Sequence, residues 1–114
     1  MLTIYHNARC KKSREGLEIL KNSGKEFQIK EYLKEPLNEG ELESLIKKLR
    51  ITPIQLVRKN EKIWKEEYKN KDLSDRELIT VMVKNPKLIE RPIVETKDTA
   101  VVGRPGSKIE DLLQ

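Results

Sequence analysis

The sequence predicts one α/β domain spanning residues 1–114. Three observations carry that expectation: short β-branched and apolar runs alternate with helical periodicities, capping residues stand ahead of several helical runs, and no linker, repeat or low-complexity tract interrupts them. Leu2 to Tyr5 reads as a strand ending at Asn7. Lys11 to Ser23 reads as a helix with Leu17 and Leu20 towards a core and Gly24 as its stop. Phe27 to Tyr32 alternates apolar and polar positions as a second strand does, and Pro36 marks the loop after it. A long helical stretch follows, an insert at about 37–88. Asn38 with Glu41 resembles a capping box ahead of Leu42, Leu45, Ile46 and Leu49. Thr52, Pro53 and Gln55 form another helix start. Ser74 with Glu77 opens a helix that carries Leu78, Val81 and Met82 and stops at Asn85 and Pro86. Pro92 to Thr96 and Thr99 to Val102 read as two strands joined by a short turn. Ser107 with Glu110 is expected to cap a last helix bearing Ile109, Leu112 and Leu113.

The resulting order, β-α-β, several helices, then β-β-α, is a thioredoxin-like order: a mixed sheet with a helical insert between the second and third strands. A chain of 114 residues has room for one modest core. Charged residues make up 38% and hydrophobic ones 36%, which is compatible with a folded domain and a heavily solvated surface. The net charge of +5 leans towards anionic partners, but acidic and basic residues are interleaved and no block of like charge indicates nucleic acid. No apolar run of membrane-spanning length and no signal-peptide pattern is seen, so the expectation is a cytoplasmic protein with no membrane partner. A single cysteine excludes an internal disulfide and suits a reducing compartment.

That cysteine, Cys10, lies in "YHNARCKKSR", four residues after the chain's only histidine, His6. The predicted elements place it at a strand-to-helix turn. A thiol there meets free backbone N–H groups and the positive end of the helix dipole, and both favour the nucleophilic thiolate. Lys11, Lys12 and Arg14 add positive charge. His6 can stabilise the thiolate, accept its proton, or end the strand and bond to backbone. Ser13 completes a C-x-x-S pattern, in which its hydroxyl can donate to the Cys10 sulfur. Other chemistries fit poorly. Zinc needs three or four ligands and the soft ones number two. The glycines form neither a dinucleotide fingerprint nor a P-loop. A C-x5-R phosphatase loop is excluded by Gly16, which stands where the arginine belongs.

"YHNARCKKSR", "LVRKNE", "ERPIV" and "VVGRP", in that order and spacing, resemble the glutaredoxin-linked arsenate reductase family over nearly the whole chain. The resemblance implies a thioredoxin-like fold and an oxidoreductase of arsenic detoxification that reduces arsenate to arsenite. It places the redox-active nucleophile on Cys10 with His6 near it, three substrate-binding arginines on Arg58, Arg91 and Arg104, and a cis proline on Pro92. It also implies glutathione as thiol co-substrate, glutaredoxin as partner and no bound cofactor or metal. The residue types suit the assignment. Lysines outnumber arginines seventeen to seven, and a planar guanidinium clamps arsenate or phosphate oxygens better than an ammonium does. Arg9 and Arg14 are further auxiliaries. Two alternatives share the outline: a generic glutathione-dependent thiol oxidoreductase, and a Spx-like transcription regulator that binds RNA polymerase. The second usually carries C-x-x-C and lacks the arginine of "GRP", whereas C-x-x-S and Arg104 stand here.

Overall fold

The structure is a computed structural model that describes all 114 residues. Its contacts divide it into two compact units, one formed by 1–35 together with 91–114 and the other by 36–90.

The first unit holds a four-stranded mixed sheet in the order β2-β1-β3-β4. Strand β1 (Leu2–Tyr5) pairs parallel with β2 (Phe27–Lys30) and antiparallel with β3 (Ile93–Glu95), and β3 pairs antiparallel with β4 (Ala100–Val102). Parallel neighbours need a crossover, and helix α1 (Lys11–Ser23) provides it between β1 and β2. Gly24, at φ 74°, closes α1 in the left-handed conformation that costs glycine least. Helix α5, at Ser107–Leu113, packs beside α1. Ile4, Leu20, Val94 and Ile109 form the fully buried core, one residue from each of β1, α1, β3 and α5. Full burial of each is worth about 1.5–3 kcal/mol.

The second unit is helical. Asn38 and Glu41 make a reciprocal capping box at the start of α2 (Glu39–Leu49), and Ser74 and Glu77 do the same for α4 (Asp75–Lys84). Between them lies the single turn α3 (Pro53–Leu56), and both α2 and α3 pack on α4. A 3-10 turn, Pro86–Leu88, follows α4. Residues 56–58 and 88–90 then meet antiparallel through the Val57–Ile89 bridge. Arg58 N donates to Leu88 O at 2.7 Å and Glu90 N to Leu56 O at 2.9 Å.

Several expectations need correction. The second strand stops at Lys30 instead of Tyr32, because Glu31 O accepts from Lys34 N and Glu35 N and turns the chain. Its alternation also misleads: β2 is an edge strand, and Ile29 is 48% exposed. Ser107 does not cap α5. Gly106 is the cap residue, and Lys108 N already bonds to Pro105 O, so the first turn begins earlier than the capping pattern suggested. A π-helical turn at Trp64–Tyr68, closed by Lys69 N to Trp64 O at 2.8 Å, has no counterpart in the periodicity reading.

Gly16 is where α1 comes nearest its neighbours. A Cβ there would lie 2.8 Å from Pro92 Cγ and 3.0 Å from Ile109 Cδ1. The pyrrolidine ring cannot swing aside. Alanine gains about 1 kcal/mol of helix propensity, whereas overpacking costs roughly 1–3 kcal/mol. Gly16→Ala should therefore lower the urea midpoint with the m-value unchanged. A higher midpoint would mean that the ring yields.

Candidate functional site

The register of the first unit decides which sequence-predicted residues can meet. Tyr5 pairs with Ile93, and Ile93 pairs with Val102. The carboxyl end of β1, the amino end of β3 and the carboxyl end of β4 therefore share one edge of the sheet. Cys10 follows β1, Arg91 and Pro92 precede β3, and Arg104 follows β4. Gly103 N donates to Pro92 O at 2.8 Å, which extends the β3–β4 pairing to the residues adjoining both arginines. The close approach of Gly16 to Pro92 sets the start of α1 over the same edge. The Arg91–Pro92 bond is cis, as expected; Arg104–Pro105 is also cis, which nothing in the sequence reading indicated.

Cys10 is the residue that caps α1. Its backbone is extended, its N donates to Asn7 O at 3.0 Å and its O accepts from Arg14 N at 3.0 Å. The thiol is half-buried and makes no capping bond, and the first turn of α1 contains no acidic residue. Helices α2 and α4 differ, since each begins with two carboxylates and a filled capping box. Only the first of these three helices offers its amino end to a sulfur or an anion. Arg14 Nη1 donates to Ala8 O at 3.0 Å and Arg9 N to Asn7 Oδ1 at 3.0 Å, so both auxiliaries brace the loop that carries the thiol.

His6 and Ser13 are brought together, but not as the C-x-x-S pattern suggested. Ser13, fully buried, lies 2.7 Å from His6 Nδ1 and accepts from Asn7 N at 3.0 Å. The hydroxyl is thus engaged with His6 and the loop backbone rather than with the Cys10 sulfur. His6 is 5% exposed, and burial holds its imidazole below the ordinary 6.5. The Glu31 carboxylate and the Ser13 bond oppose that shift, while Arg14 and Lys21 reinforce it. The ring is accordingly neutral at neutral pH, which argues against an imidazolium that stabilises the thiolate. Beside it opens a cleft of about 310 Å³ lined by His6, Asn7, Arg9, Glu31, Leu33 and Lys34, of which the last three were not expected from sequence.

The arginines are placed unequally. Arg91 Nε is buried and meets no acceptor. A guanidinium donor shut away from water without a partner is costly, and such a group in a native structure calls for an explanation. Arg58 belongs to the second unit, where Nε bonds to Glu90 Oε1 at 3.1 Å and Nη1 lies 3.6 Å from Glu61 Oε1.

Residues 5–112 match the ArsC family. The chain belongs to the ArsC family. It is 40% identical over 112 residues to the arsenate reductase of Haemophilus influenzae, covering 96% of this chain and 97% of that protein. It is 41% identical over 112 residues to the uncharacterized protein YfgD of Escherichia coli K12, covering 96% and 94%. The solved structure of the arsenate reductase from Vibrio cholerae matches with a TM-score of 0.91 at 38% identity, covering 96% of this chain and 95% of that one. The fold of this ArsC family member is thioredoxin-like, as its strand and helix order predicted.

The buried, neutral His6 sets a pH dependence. Its folded-state pKa lies below the unfolded value of 6.5, so the unfolded chain takes up the proton more readily. Stability attached to the neutral ring is complete above 6.5 and is lost as pH falls below it towards the folded pKa. Urea midpoints at pH 7.5 and 5.5 should therefore differ more in the wild-type protein than in His6→Asn. Equal differences would show that protonating the ring costs the fold nothing.

Proposed function

We propose that this ArsC family member reduces arsenate to arsenite through a covalent adduct on Cys10, with glutathione as the second thiol and glutaredoxin as the protein that clears the resulting mixed disulfide. The observation that carries the reading is the buried, partnerless Nε of Arg91 at the sheet edge that also bears Cys10 and Arg104. A tetrahedral oxyanion has the acceptor oxygens that this donor lacks, and a guanidinium is the group suited to grip two of them at once.

The chemistry follows from the groups at hand. Cys10 thiolate attacks arsenic(V), an S–As bond forms and an As–O bond breaks, and the departing oxygen leaves as water once protonated. Glutathione thiolate then supplies the second sulfur. Its attack on the Cys10 sulfur forms an S–S bond between Cys10 and glutathione and breaks the S–As bond, whose electron pair stays on arsenic, so that arsenite leaves as arsenic(III). The second thiol has to come from another molecule, because Cys10 is the chain's only cysteine. Exchange by glutaredoxin returns Cys10 to the thiol. Arg91 and Arg104 hold the oxyanion and offset charge that builds up on oxygen as the S–As bond forms, and the family resemblance gives Arg58 an anion-binding role as well. His6 and Ser13 keep the 6–13 loop in place while this happens.

The test is arsenate-dependent NADPH oxidation coupled through glutathione, glutaredoxin and glutathione reductase. Wild-type protein should turn over and Cys10→Ser should not. Arg91→Lys keeps the charge but loses the fork, and should lower kcat/KM for arsenate by about ten- to a hundredfold, the worth of one charge-assisted contact. No turnover by the wild-type protein with every coupling component present would refute the proposal. Glutathione disulfide should in turn add one glutathione to the intact mass, on Cys10. A persistent sulfenic acid without that adduct would remove glutathione from the mechanism.

A further inference from the structure

We infer that Glu90 is a positioning residue for Arg58, fixing the guanidinium so that its unbonded edge is held ready for an oxyanion. The inference rests on the reading of Arg58 as an anion-binding residue. It is carried by the antiparallel bridge of the second unit. There Val57 faces Ile89, so Arg58 stands opposite Leu88 and Glu90 opposite Leu56. Arg58 and Glu90 are therefore diagonal neighbours on one face of the pair, a spacing that long side chains span. Two backbone bonds, of 2.7 and 2.9 Å, lock the register.

The contact is of a particular kind. Glu90 reaches Arg58 with one oxygen, Oε1, at Nε and 3.1 Å. Glu61 meets Nη1 only at 3.6 Å, beyond hydrogen-bond length, and Nη2 meets no acceptor. A carboxylate that competed with substrate would take two parallel N–H groups, as arsenate does. Glu90 takes the one nitrogen nearest the stem, which fixes the plane of the group and leaves the terminal nitrogens their donors. An arginine with four rotatable bonds loses much freedom on seizing a ligand, and a partner that orders it beforehand removes that cost. Arg58 and Glu90 are only about 21% and 31% exposed, so bulk water does little to screen the pair. Against the gain stands repulsion between the Glu90 carboxylate and an arriving anion. Glutamine separates the two effects, because it keeps the acceptor oxygen and drops the charge.

The experiment measures arsenate binding without turnover, as protection of Cys10 from iodoacetamide. Glu90→Ala should weaken binding up to about tenfold, the scale of ordering one long side chain, whereas Glu90→Gln should stay within about threefold of wild type. Glu90→Val carries the same expectation as alanine should the alanine variant not fold. In the Arg58→Ala background, Glu90→Ala should have no further effect. Alkylation of Cys10 without arsenate should be the same in wild type and the Glu90 variants. Tighter arsenate binding in both Glu90→Ala and Glu90→Gln would overturn the inference and make Glu90 a repulsive neighbour. Unchanged binding in Glu90→Ala, or a further loss in the Arg58→Ala background, would also overturn it. Failure of arsenate to protect wild-type Cys10 overturns the anion-site reading and this inference together. Protection without NADPH-coupled turnover overturns only the reductase reading, and the Glu90 variants then decide this one.

Discussion

The close approach of α1 to Pro92 is the constraint on which the first unit depends. Without a side chain at Gly16, the helix comes closer to the proline ring than a Cβ would allow, and the tip of Ile109 would be a tight contact. Gly103 makes the same concession from the other side, since a Cβ there would lie 2.5 Å from Ile109 Cδ1 and 3.2 Å from Pro92 Cγ. Proline and isoleucine are thus pressed between two glycines. The result is positional: the helix that begins at Cys10 is tied to the residue that follows Arg91, and the strand that ends before Arg104 is tied to both. A packing arrangement of four apolar or side-chain-free residues places a thiol and two guanidinium-bearing residues at one sheet edge.

Around that frame, the loop from His6 to Ser13 is held by polar bonds. Ser13 serves the His6 ring and the Asn7 N–H together, Arg14 caps the Ala8 carbonyl, and His6 N pairs with Lys30 O at 2.9 Å as β2 ends. Buried polar groups contribute more to uniqueness of geometry when every member is satisfied. Here they leave the amino end of α1 with neither a capping side chain nor an acidic residue. The positive end of the helix is therefore available to the Cys10 sulfur, whereas α2 and α4 neutralise theirs internally.

Most of the architecture was legible because its signals are local. Both long capping boxes, the Gly24 stop and the start of α1 follow from side chains within a few residues of each boundary. The misses have non-local causes. Ile29 looks like a core residue in its strand, but its exposure depends on β2 lying at the sheet edge, which the order of strands decides. Ser107 has the right partner at Glu110, yet the turn at Pro105 starts the helix first. Within the site, Cys10 stood out by its position, and Arg58, Arg91 and Arg104 by the resemblance of the motifs that carry them to a known family. The Ser13 to His6 bond did not, because C-x-x-S suggests the sulfur as partner and only burial shows where the hydroxyl points. Glu31, Leu33, Glu61 and Glu90 carried no signal among nineteen acidic residues and many leucines.

On the proposed reading, the two most informative arginines are prepared for anions in two ways. Arg91 keeps a buried donor unsatisfied, a penalty that an oxyanion's oxygen would relieve if the proposal holds. Arg58 is satisfied at Nε by Glu90, so little conformational freedom is left for a ligand to remove. An unsatisfied donor strengthens binding by raising the energy of the empty site, and a braced one by lowering the entropy lost on filling it. The chain places these residues on either side of a unit boundary: Glu90 is the last residue of the helical unit and Arg91 the first to return to the sheet. One peptide bond therefore joins the carboxylate bonded to one arginine to the arginine whose buried Nε has no partner. Any substitution at 90 has to be judged for its effect on both neighbours, since the backbone bond from Glu90 N to Leu56 O also fixes where the chain leaves towards Arg91.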